Sequence, residues 1–416
     1  MFHIVYNVVL YQYISLITCY KIMLKNIPNL LNEKEKSIRA IYVSSYIPRR
    51  CGIATYTKDL TSAINSLNPE SLAEIIAMND VDESYDFPWE VKLRINQNNN
   101  DDYIAAAHYI NQSSADVVNL QHEFGLYGGV SGDYILPMID MINKPIVSCF
   151  HSILPAPDSH QQYIIGRLIE ASEAVVAMTH ISKQILKDVY NCPDEKSVVI
   201  YHGVPDFEYN SMSKYKNKLG IETDSMLLMS GLIGPGKGIE FVIEAMIEIV
   251  KEHPHVKFYV LGQSHPSLIK GKKDEYREFL TNLVANNNLQ DNVIFENRYL
   301  DLEELISYYK AADIFLTPHL DPQQPTSGTL AYALGAGKIC ISTPYNYAKE
   351  VLANKNGFLV PFRDSKSIAD IVKNAVDKPQ EMEEYKKNAY QLGKKMQWPR
   401  IAKQYLDLFK IVKNYE

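Results

Sequence analysis

The sequence has few cysteines, and they follow no metal-binding or disulfide pattern. No two of them have the Cys-x-x-Cys spacing of a zinc site, and an odd number does not fit a disulfide framework. The five are Cys19, Cys51, Cys149, Cys192 and Cys340. We therefore expect reduced thiols and a cytoplasmic location. Cys149 and Cys340 stand in strand-like runs and are predicted to pack as small apolar residues.

The chain also lacks an excess of positive charge. It has 42 lysines and arginines against 49 aspartates and glutamates, which gives a formal net charge of −7. No basic stripe is present that could neutralise the phosphate backbone of a nucleic acid. Nucleic acid is therefore excluded as the main partner, whereas a small anionic ligand needs only a local positive site.

No apolar run has the length and purity of a typical transmembrane helix. Residues 4–20 carry no charge, but Asn7 and Gln12 interrupt them and the run is short for a bilayer. A signal peptide would need an early positive cluster and a cleavage site, and neither is present. Three interpretations remain, in order of preference: a dispensable extension with Met23 as the working start, a helix that contacts a membrane surface, and a true membrane anchor. Residues 1–37 are assigned to this extension and its linker.

From residue 39 onward, predicted strands and helices alternate, which is typical of parallel sheets covered by helices. The chain is long enough for two domains, and a polar stretch near residues 205–220 separates two similar halves. The predicted strands are 40–44, 72–77, 117–120, 145–150, 174–178 and 198–201 in the first half, and 226–230, 256–261, 293–296, 314–317 and 338–342 in the second. Helices predicted between them include 56–67 and 103–111. Because ligands of open α/β sheets bind beyond the carboxyl ends of the strands, the two halves should share a cleft.

Two loops have the composition of phosphate-binding sites. Gly231 follows an apolar strand, and Lys237 stands six residues later at the start of an amphipathic helix. Ser327, Gly328 and Thr329 open a second helix, whose positive end would attract an anion. No Gly-x-x-x-x-Gly-Lys-Ser/Thr motif is present, and a glycine loop alone is a weak indication. A solvated lysine and an ordinary βα unit are the alternatives to a site for a phosphorylated sugar.

Polar residues stand at the ends of several predicted strands. His122, His151, His202 and His319 each follow an apolar run. A single histidine at such a place is more often structural, but four of them favour a polar site. Gly52 follows the first strand and would let the backbone approach a ligand.

These motifs resemble those of retaining glycosyltransferases of the GT-B type, which have two Rossmann-like domains facing across a cleft. The similarity is greatest to glycosyltransferase family 4 and covers about residues 38 to 410. It rests on the loop at Gly52, the pairs His122-Glu123 and Phe150-His151, the segment from Gly231 to Lys237-Gly238, and the region of Trp398. The resemblance implies an α/β fold with domains over residues 38–208 and 209–395, and a helix over 396–416 that crosses back to the first domain.

The chain departs from the family pattern at three positions. Leu232 stands where the family usually has an arginine that accompanies the lysine. Gln324 and Tyr332 stand in place of two glutamates, of which the first lies near the transferred sugar and the second on the ribose. Glu350 matches a further glutamate of the family. A glutamine still bonds sugar hydroxyls, but a tyrosine cannot accept two ribose hydroxyls as a carboxylate does. The chain is therefore expected to belong to a divergent branch.

The resemblance implies transfer of a hexose, mannose or glucose, from a nucleotide-diphosphate sugar to a carbohydrate or lipid-linked acceptor, with retention of configuration. The nucleotide sugar is a co-substrate, and no metal or cofactor is expected because the lysine, the amides and the helix dipole neutralise the diphosphate. The predicted catalytic residues are His122, Lys237 and Gln324. The predicted donor-binding residues are Gly52, His151, Gly231, Lys237, Gln324, Ser327, Gly328, Thr329, Tyr332 and Glu350. The alternatives are a non-catalytic nucleotide-sugar binding protein and an epimerase or phosphorylase of the same fold.

Overall fold

The computed structural model describes residues 37–80, 84–209, 212–264 and 274–414. It divides the chain into two units, residues 1–38 and 39–416. The predicted extension over residues 1–36 lies outside the described residues, together with its three interpretations. All helices and strands named below belong to the second unit, and none of the described helices has the length and hydropathy needed to cross a membrane.

The first half forms a parallel sheet with helices between its strands, and its described part contains seven strands. They are β1 Ala40–Ser44, β2 Glu74–Asn79, β3 Val91–Asn96, β4 Val117–His122, β5 Ile146–Phe150, β6 Ala174–Ala177 and β7 Ser197–Val199, in the order β3-β2-β1-β4-β5-β6-β7. The helices are α1 Gly52–Leu67, α2 Asn100–Gln112, α3 Ile135–Met141, α4 Ser159–Ala171 and α5 His180–Tyr190. The strand order reverses between β1 and β4, and a crevice forms at such a point in an α/β sheet.

The sequence predicted six of these strands and missed β3. This strand alternates apolar and charged residues, with Lys92 and Arg94 exposed and Ile95 buried. A strand at the edge of a sheet buries less of its surface than an inner strand, so it lacks the continuous apolar run on which the other predictions rested. The period-two alternation was the signal that could have identified it.

The second half forms another parallel sheet, with six strands in its described part. They are β8 Met226–Ser230, β9 Lys257–Leu261, β10 Val293–Glu296, β11 Ile314–Thr317, β12 Ile339–Ser342 and β13 Phe358–Leu359, in the order β10-β9-β8-β11-β12-β13. The helices are α6 Met212–Leu219, α7 Ile239–Glu252, α8 Glu275–Asn286, α9 Leu302–Ala311, α10 Gly328–Gly335, α11 Asn346–Val351, α12 Ser365–Asp377 and α13 Glu383–Lys395. The prediction of two parallel α/β halves is confirmed, and this sheet reverses its order between β8 and β11.

The last described helix, α14 Trp398–Lys413, packs against the first half of the chain. The Tyr405 hydroxyl lies 3.0 Å from the hydroxyl of Tyr56 on α1. The Lys413 ammonium lies 2.9 Å from a carboxylate oxygen of Asp116. A β-carbon on Gly203 would lie 2.1 Å from the ring of Trp398, so only glycine fits where the chain passes between the two sheets.

Candidate functional site

The loops that follow β8 and β9 pack closely at the carboxyl edge of the second sheet. Gly231 has a φ of +119° and donates its N–H to the carbonyl of Leu261 at 3.0 Å. A β-carbon on Gly262 would lie 2.0 Å from the carbonyl oxygen of Gly231. Only glycines allow this backbone conformation and this approach. Gly231, predicted to bind the donor, therefore has a structural reason to be glycine, and its contact with a donor stays a prediction.

Lys237 is one of the cations at this edge. The next residue, Gly238, has a φ of +70°, and its β-carbon would lie 2.2 Å from the carbonyl oxygen of Pro318. The N–H of Leu320 donates to the carbonyl of Gly236 at 3.0 Å. These contacts hold the lysine loop against the segment that follows β11, where His319 begins the next part of the site.

The Lys237 ammonium has no hydrogen bond and no carboxylate partner anywhere in the described part of the chain. Burial lowers the pKa of Lys237. Burial and, less strongly, the charge of Lys237 lower the pKa of His319 to about 3, so the histidine is neutral. A partly desolvated cation without a counter-ion is unfavourable unless an anion binds beside it. Lys237 is therefore the strongest candidate for binding an anion among the residues that the structure describes.

Gln324 lies next to this lysine region, but both the oxygen and the nitrogen of its side-chain amide are already hydrogen-bonded within the protein. The Nδ1 atom of His319 lies 2.7 Å from the side-chain oxygen of Gln324, and the Gln324 amide donates to the carbonyl of Thr326 at 3.0 Å. The His319 ring stacks on Tyr345 with centroids 5.3 Å apart. The predicted contact of Gln324 with a sugar would require it to exchange one of these bonds, and its catalytic role stays a prediction.

The start of α10 lies against His202. The Ser327 hydroxyl caps the helix by accepting the N–H of Leu330 at 3.3 Å, and it lies 3.2 Å from the hydroxyl of Thr329. Nδ1 of His202 bonds its neighbouring carbonyl at 2.7 Å, so Nδ1 is the donor and Nε2 carries a lone pair. A β-carbon on Gly328 would lie 2.9 Å from that Nε2 atom. His202 thus covers one side of the predicted phosphate-binding turn.

Tyr332 makes a contact that the sequence did not predict. Its hydroxyl donates to a carboxylate oxygen of Asp59, on α1 of the other half, at 2.9 Å. The Tyr332 side chain is buried, and its ring packs near Phe207 and Tyr309. Burial raises the pKa of Asp59 to about 6, although the bond from Tyr332 opposes the shift. Where the resemblance places a nucleotide ribose, the structure places a hydrogen bond between the two domains.

The raised pKa of Asp59 predicts a pH-dependent stability. The carboxylate ionises near pH 4 in the unfolded chain but near pH 6 in the folded one, so the free energy of unfolding falls as pH rises between these values. The variant Asp59→Asn should therefore be more stable than the wild type at pH 7.5, by about 2 to 3 kcal/mol if the amide keeps the bond. Thermal unfolding should show that the difference in stability between the variant and the wild type narrows as the pH falls toward 4.5. A difference in stability that stays constant or widens at low pH would contradict the raised pKa of Asp59.

Glu350 also joins the two halves. Its two carboxylate oxygens accept the N–H groups of His180 and Ile181 at 2.9 Å each, which caps the start of α5. The hydroxyl of Tyr201 lies 3.5 Å from the same carboxylate. In this structure the carboxylate serves a helix terminus of the first domain, where a negative charge is favourable. Its predicted contact with a donor stays a prediction.

We expect Glu350→Gln to lower the free energy of unfolding by about 1 kcal/mol, because the variant loses a charged cap. Chemical denaturation should show this change. The matched control is Glu384→Gln, which removes an exposed pair with Lys355 and should change stability by less than about 0.5 kcal/mol. Equal effects in the two variants would show that the cap contributes nothing beyond an ordinary surface charge.

His122 ends β4 and is completely buried. Neither ring nitrogen has a hydrogen-bond partner in the described chain, and the ring stacks on Tyr127 with edge contacts to Phe124 and Phe150. Burial lowers the pKa of His122 to about 3, so the ring is neutral. A buried polar group without a partner costs about 1 to 3 kcal/mol, and such groups are rare in native proteins. The prediction that His122 orients the sugar requires the ring to become accessible when a donor binds.

His151 lies beside this ring and differs from it in having a partner. Its Nε2 atom lies 2.7 Å from the side-chain oxygen of Gln121, and its ring makes an edge contact with Tyr56 at 4.9 Å. Gly52 begins α1, and apart from its chain neighbours and the backbone of its own helix nothing in the described protein lies within 4 Å of the position of its β-carbon. The backbone there is open to a ligand, and donor binding by Gly52 and His151 stays a prediction.

The described residues contain no group of three or more histidine, cysteine, aspartate or glutamate side chains arranged to hold a metal ion. The four cysteines that the structure describes are free thiols. Cys149 and Cys340 are buried in β5 and β12, as the sequence predicted.

Comparison with known proteins relates the second half of the chain to a family. Residues 211–392 match the model of the glycosyl transferases group 1. This segment contains Lys237, Gln324, Tyr332 and Glu350. The chain is 24% identical over 249 residues to an uncharacterized glycosyltransferase of Methanocaldococcus jannaschii, covering 57% of this chain and 60% of that protein. It is 26% identical over 250 residues to the alpha-monoglucosyldiacylglycerol synthase of Streptococcus pneumoniae, covering 56% and 53%. The matches thus span little more than half the length of these relatives.

Solved structures resemble the chain over most of its length. The Anabaena protein HepE, solved with UDP and glucose, has a TM-score of 0.70 at 16% identity and covers 90% of this chain and 99% of its own. The sucrose-phosphate synthase of Thermosynechococcus elongatus has a TM-score of 0.72 at 18% identity, covering 89% and 98%. At these identities the likeness concerns the fold. The predicted α/β fold with two Rossmann-like domains, the GT-B architecture, is confirmed.

Proposed function

We propose that the chain is a retaining family 4 glycosyltransferase that moves a hexosyl group from a nucleoside-diphosphate sugar to a hydroxyl of a glycan or lipid-linked acceptor. The observation that carries the proposal is the Lys237 ammonium, which has no anionic partner among the described residues and lies at the carboxyl edge of the second sheet. The match of the surrounding segment to the glycosyl transferases group 1 supports it. Glucose and mannose are the sugars we expect, and the UDP and glucose found with HepE support a donor of this kind.

The proposed reaction exchanges one bond at the anomeric carbon. The bond from this carbon to the diphosphate oxygen breaks, and the electron pair stays on the phosphate. The acceptor oxygen bonds to the same face of the sugar and gives its proton to the departing phosphate oxygen. Lys237 and the backbone amides of the glycine loop stabilise the negative charge that develops there. His122, whose low pKa keeps its ring neutral, would donate a hydrogen bond to the sugar and would not act as a base.

A second candidate is a protein that binds a nucleotide sugar without transferring it. The Tyr332–Asp59 bond favours it, because the position expected to hold a ribose carboxylate carries a tyrosine that is already engaged. An epimerase or phosphorylase of the same fold is a further alternative. The phosphorylase would need free phosphate and no nucleotide.

The function is tested with UDP-glucose, GDP-mannose, UDP and GDP. Thermal shift should show that one nucleotide raises the Tm, since a ligand that binds only the folded state stabilises it. Mass spectrometry should then show release of the nucleoside diphosphate from the matching sugar. Binding without release would favour the second candidate, and no shift with any nucleotide would overturn both.

We expect the activity to persist in EDTA, because a lysine, amide groups and a helix dipole supply the positive charge at the diphosphate. Initial rates with and without EDTA should agree within about twofold, since no step of the proposed reaction uses a metal. Loss of activity that magnesium or manganese restores would contradict the metal-free mechanism.

A further inference from the structure

Arg50 reaches from the first domain to the second. It lies in the loop between β1 and α1, and its side chain is exposed. Its Nη1 atom donates to the side-chain oxygen of Gln263 at 3.3 Å, and its guanidinium lies over the ring of Tyr299, 5.3 Å from the centroid. Both partners belong to loops of the second domain. A cation of one domain is therefore held on the facing surface of the other.

The neighbouring Arg49 has a different environment. Its Nη2 atom lies 3.0 Å from a carboxylate oxygen of Asp80, and its side chain is only 15% exposed. This ion pair anchors the loop to its own domain. Arg50 has no carboxylate partner among the residues that the structure describes, and its contacts are a neutral amide and an aromatic ring. Its charge is therefore not neutralised by the protein.

Gln263 places Arg50 at the edge that carries the glycine loop. The carbonyl of Gln263 accepts the N–H of Ile233 at 2.9 Å, and the next residue, Ser264, forms a parallel bridge with Ile233. Ile233 follows Gly231 and Leu232 directly. The guanidinium thus lies beside the segment in which the resemblance expects an arginine and the sequence has Leu232. The second domain's own arginine at this edge, Arg277, bonds the carbonyl of Gly262 at 3.0 Å and pairs with Asp274 at 3.4 Å. Arg50 instead brings a positive charge without a carboxylate partner among the described residues, and it comes from the first domain.

We propose that Arg50 is a second cationic ligand of the diphosphate, opposite Lys237, and that it replaces the arginine absent from position 232. This inference rests on the proposed function. A bond from a guanidinium to a phosphate oxygen joins two opposite charges and can be bidentate, whereas the present acceptor is the neutral amide oxygen of Gln263. A bound diphosphate would therefore take the guanidinium from its present partner. Because Arg50 and Lys237 belong to different domains, the same anion would join both domains, and donor binding would favour the closed cleft.

The test uses calorimetric titration of the full chain with UDP and with GDP, followed by the variants Arg50→Gln and Arg50→Lys. Arg50→Gln should weaken binding of the nucleoside diphosphate by about 10- to 100-fold, the range expected for a charge-assisted contact. It should weaken binding of the corresponding nucleoside much less. Arg50→Lys should recover part of the affinity, because it keeps the charge but loses the planar fork. The matched control is Arg94→Gln, which removes an exposed arginine of the edge strand β3 and should bind like the wild type.

The possible results separate this inference from the proposed function. If Lys237→Ala loses affinity while Arg50→Gln binds the diphosphate normally, the role of Arg50 is overturned and the proposed function stands. Equal losses for the diphosphate and the nucleoside would make Arg50 a contact between domains, which also overturns the inference. If the wild type binds neither UDP nor GDP, both proposals fail. A loss confined to the diphosphate, with Arg94→Gln unchanged, supports the inference.

Discussion

Lys237→Ala is expected to weaken binding of the nucleoside diphosphate by about 10- to 150-fold, because one charge-assisted contact contributes roughly 1.5 to 3 kcal/mol. The free protein should be no less stable than the wild type, since the lysine has no partner among the described residues and is partly desolvated. The expected result is therefore an unchanged or higher Tm without nucleotide and a much smaller rise in Tm when nucleotide is added. Calorimetry and thermal unfolding on the same samples measure both quantities.

Two variants serve as controls for this result. Lys237→Arg keeps the positive charge and should retain a larger part of the affinity than the alanine variant. Lys355→Ala removes a lysine from an exposed pair with Glu384 and should leave nucleotide binding unchanged. Normal binding by Lys237→Ala would remove the lysine from the site and with it the main support for the proposed function. A lowered Tm in the free protein would show that its role is structural.

His122→Leu is expected to lower turnover by at least about 100-fold and to raise the stability of the free protein, because the variant replaces a buried imidazole without hydrogen bonds by an apolar side chain of similar size. The gain in the free energy of unfolding should be about 1 to 3 kcal/mol. Donor affinity should change less than turnover, since the proposed contact is made to the reacting sugar. Chemical denaturation and steady-state kinetics test the two effects separately.

The comparison with His151→Leu sharpens this test. His151 shares the buried region but bonds Gln121, so its loss leaves a buried amide without its partner and should lower stability. Opposite changes in stability in the two variants would show that His122 destabilises the unliganded protein. If His122→Leu is less stable and turns over normally, His122 is structural and the proposed mechanism loses its sugar contact.

The sequence alone determined the architecture and the positions of the loops. The eleven strand predictions depended on short apolar runs, and such a run is a local property of the sequence. The glycines of the lysine loop could also be recognised from the sequence. A left-handed backbone or a close approach of two backbone segments restricts a position to glycine. Strand β3 was missed because this edge strand has alternating polarity in place of a continuous apolar run, and β13 was missed because it has only two residues.

The tertiary structure decided which side chains meet across the two domains. Arg50 and Gln263 are 213 residues apart, Tyr332 and Asp59 are 273 apart, and Glu350 and His180 are 170 apart. No local pattern connects such residues, since their contact depends on how two separately formed sheets pack. The alignment of motifs could therefore show that an arginine and two carboxylates were missing from their usual positions. It could not show that Arg50 lies beside the segment of Leu232 or that Asp59 bonds Tyr332, because only the packing of the two domains brings these residues together.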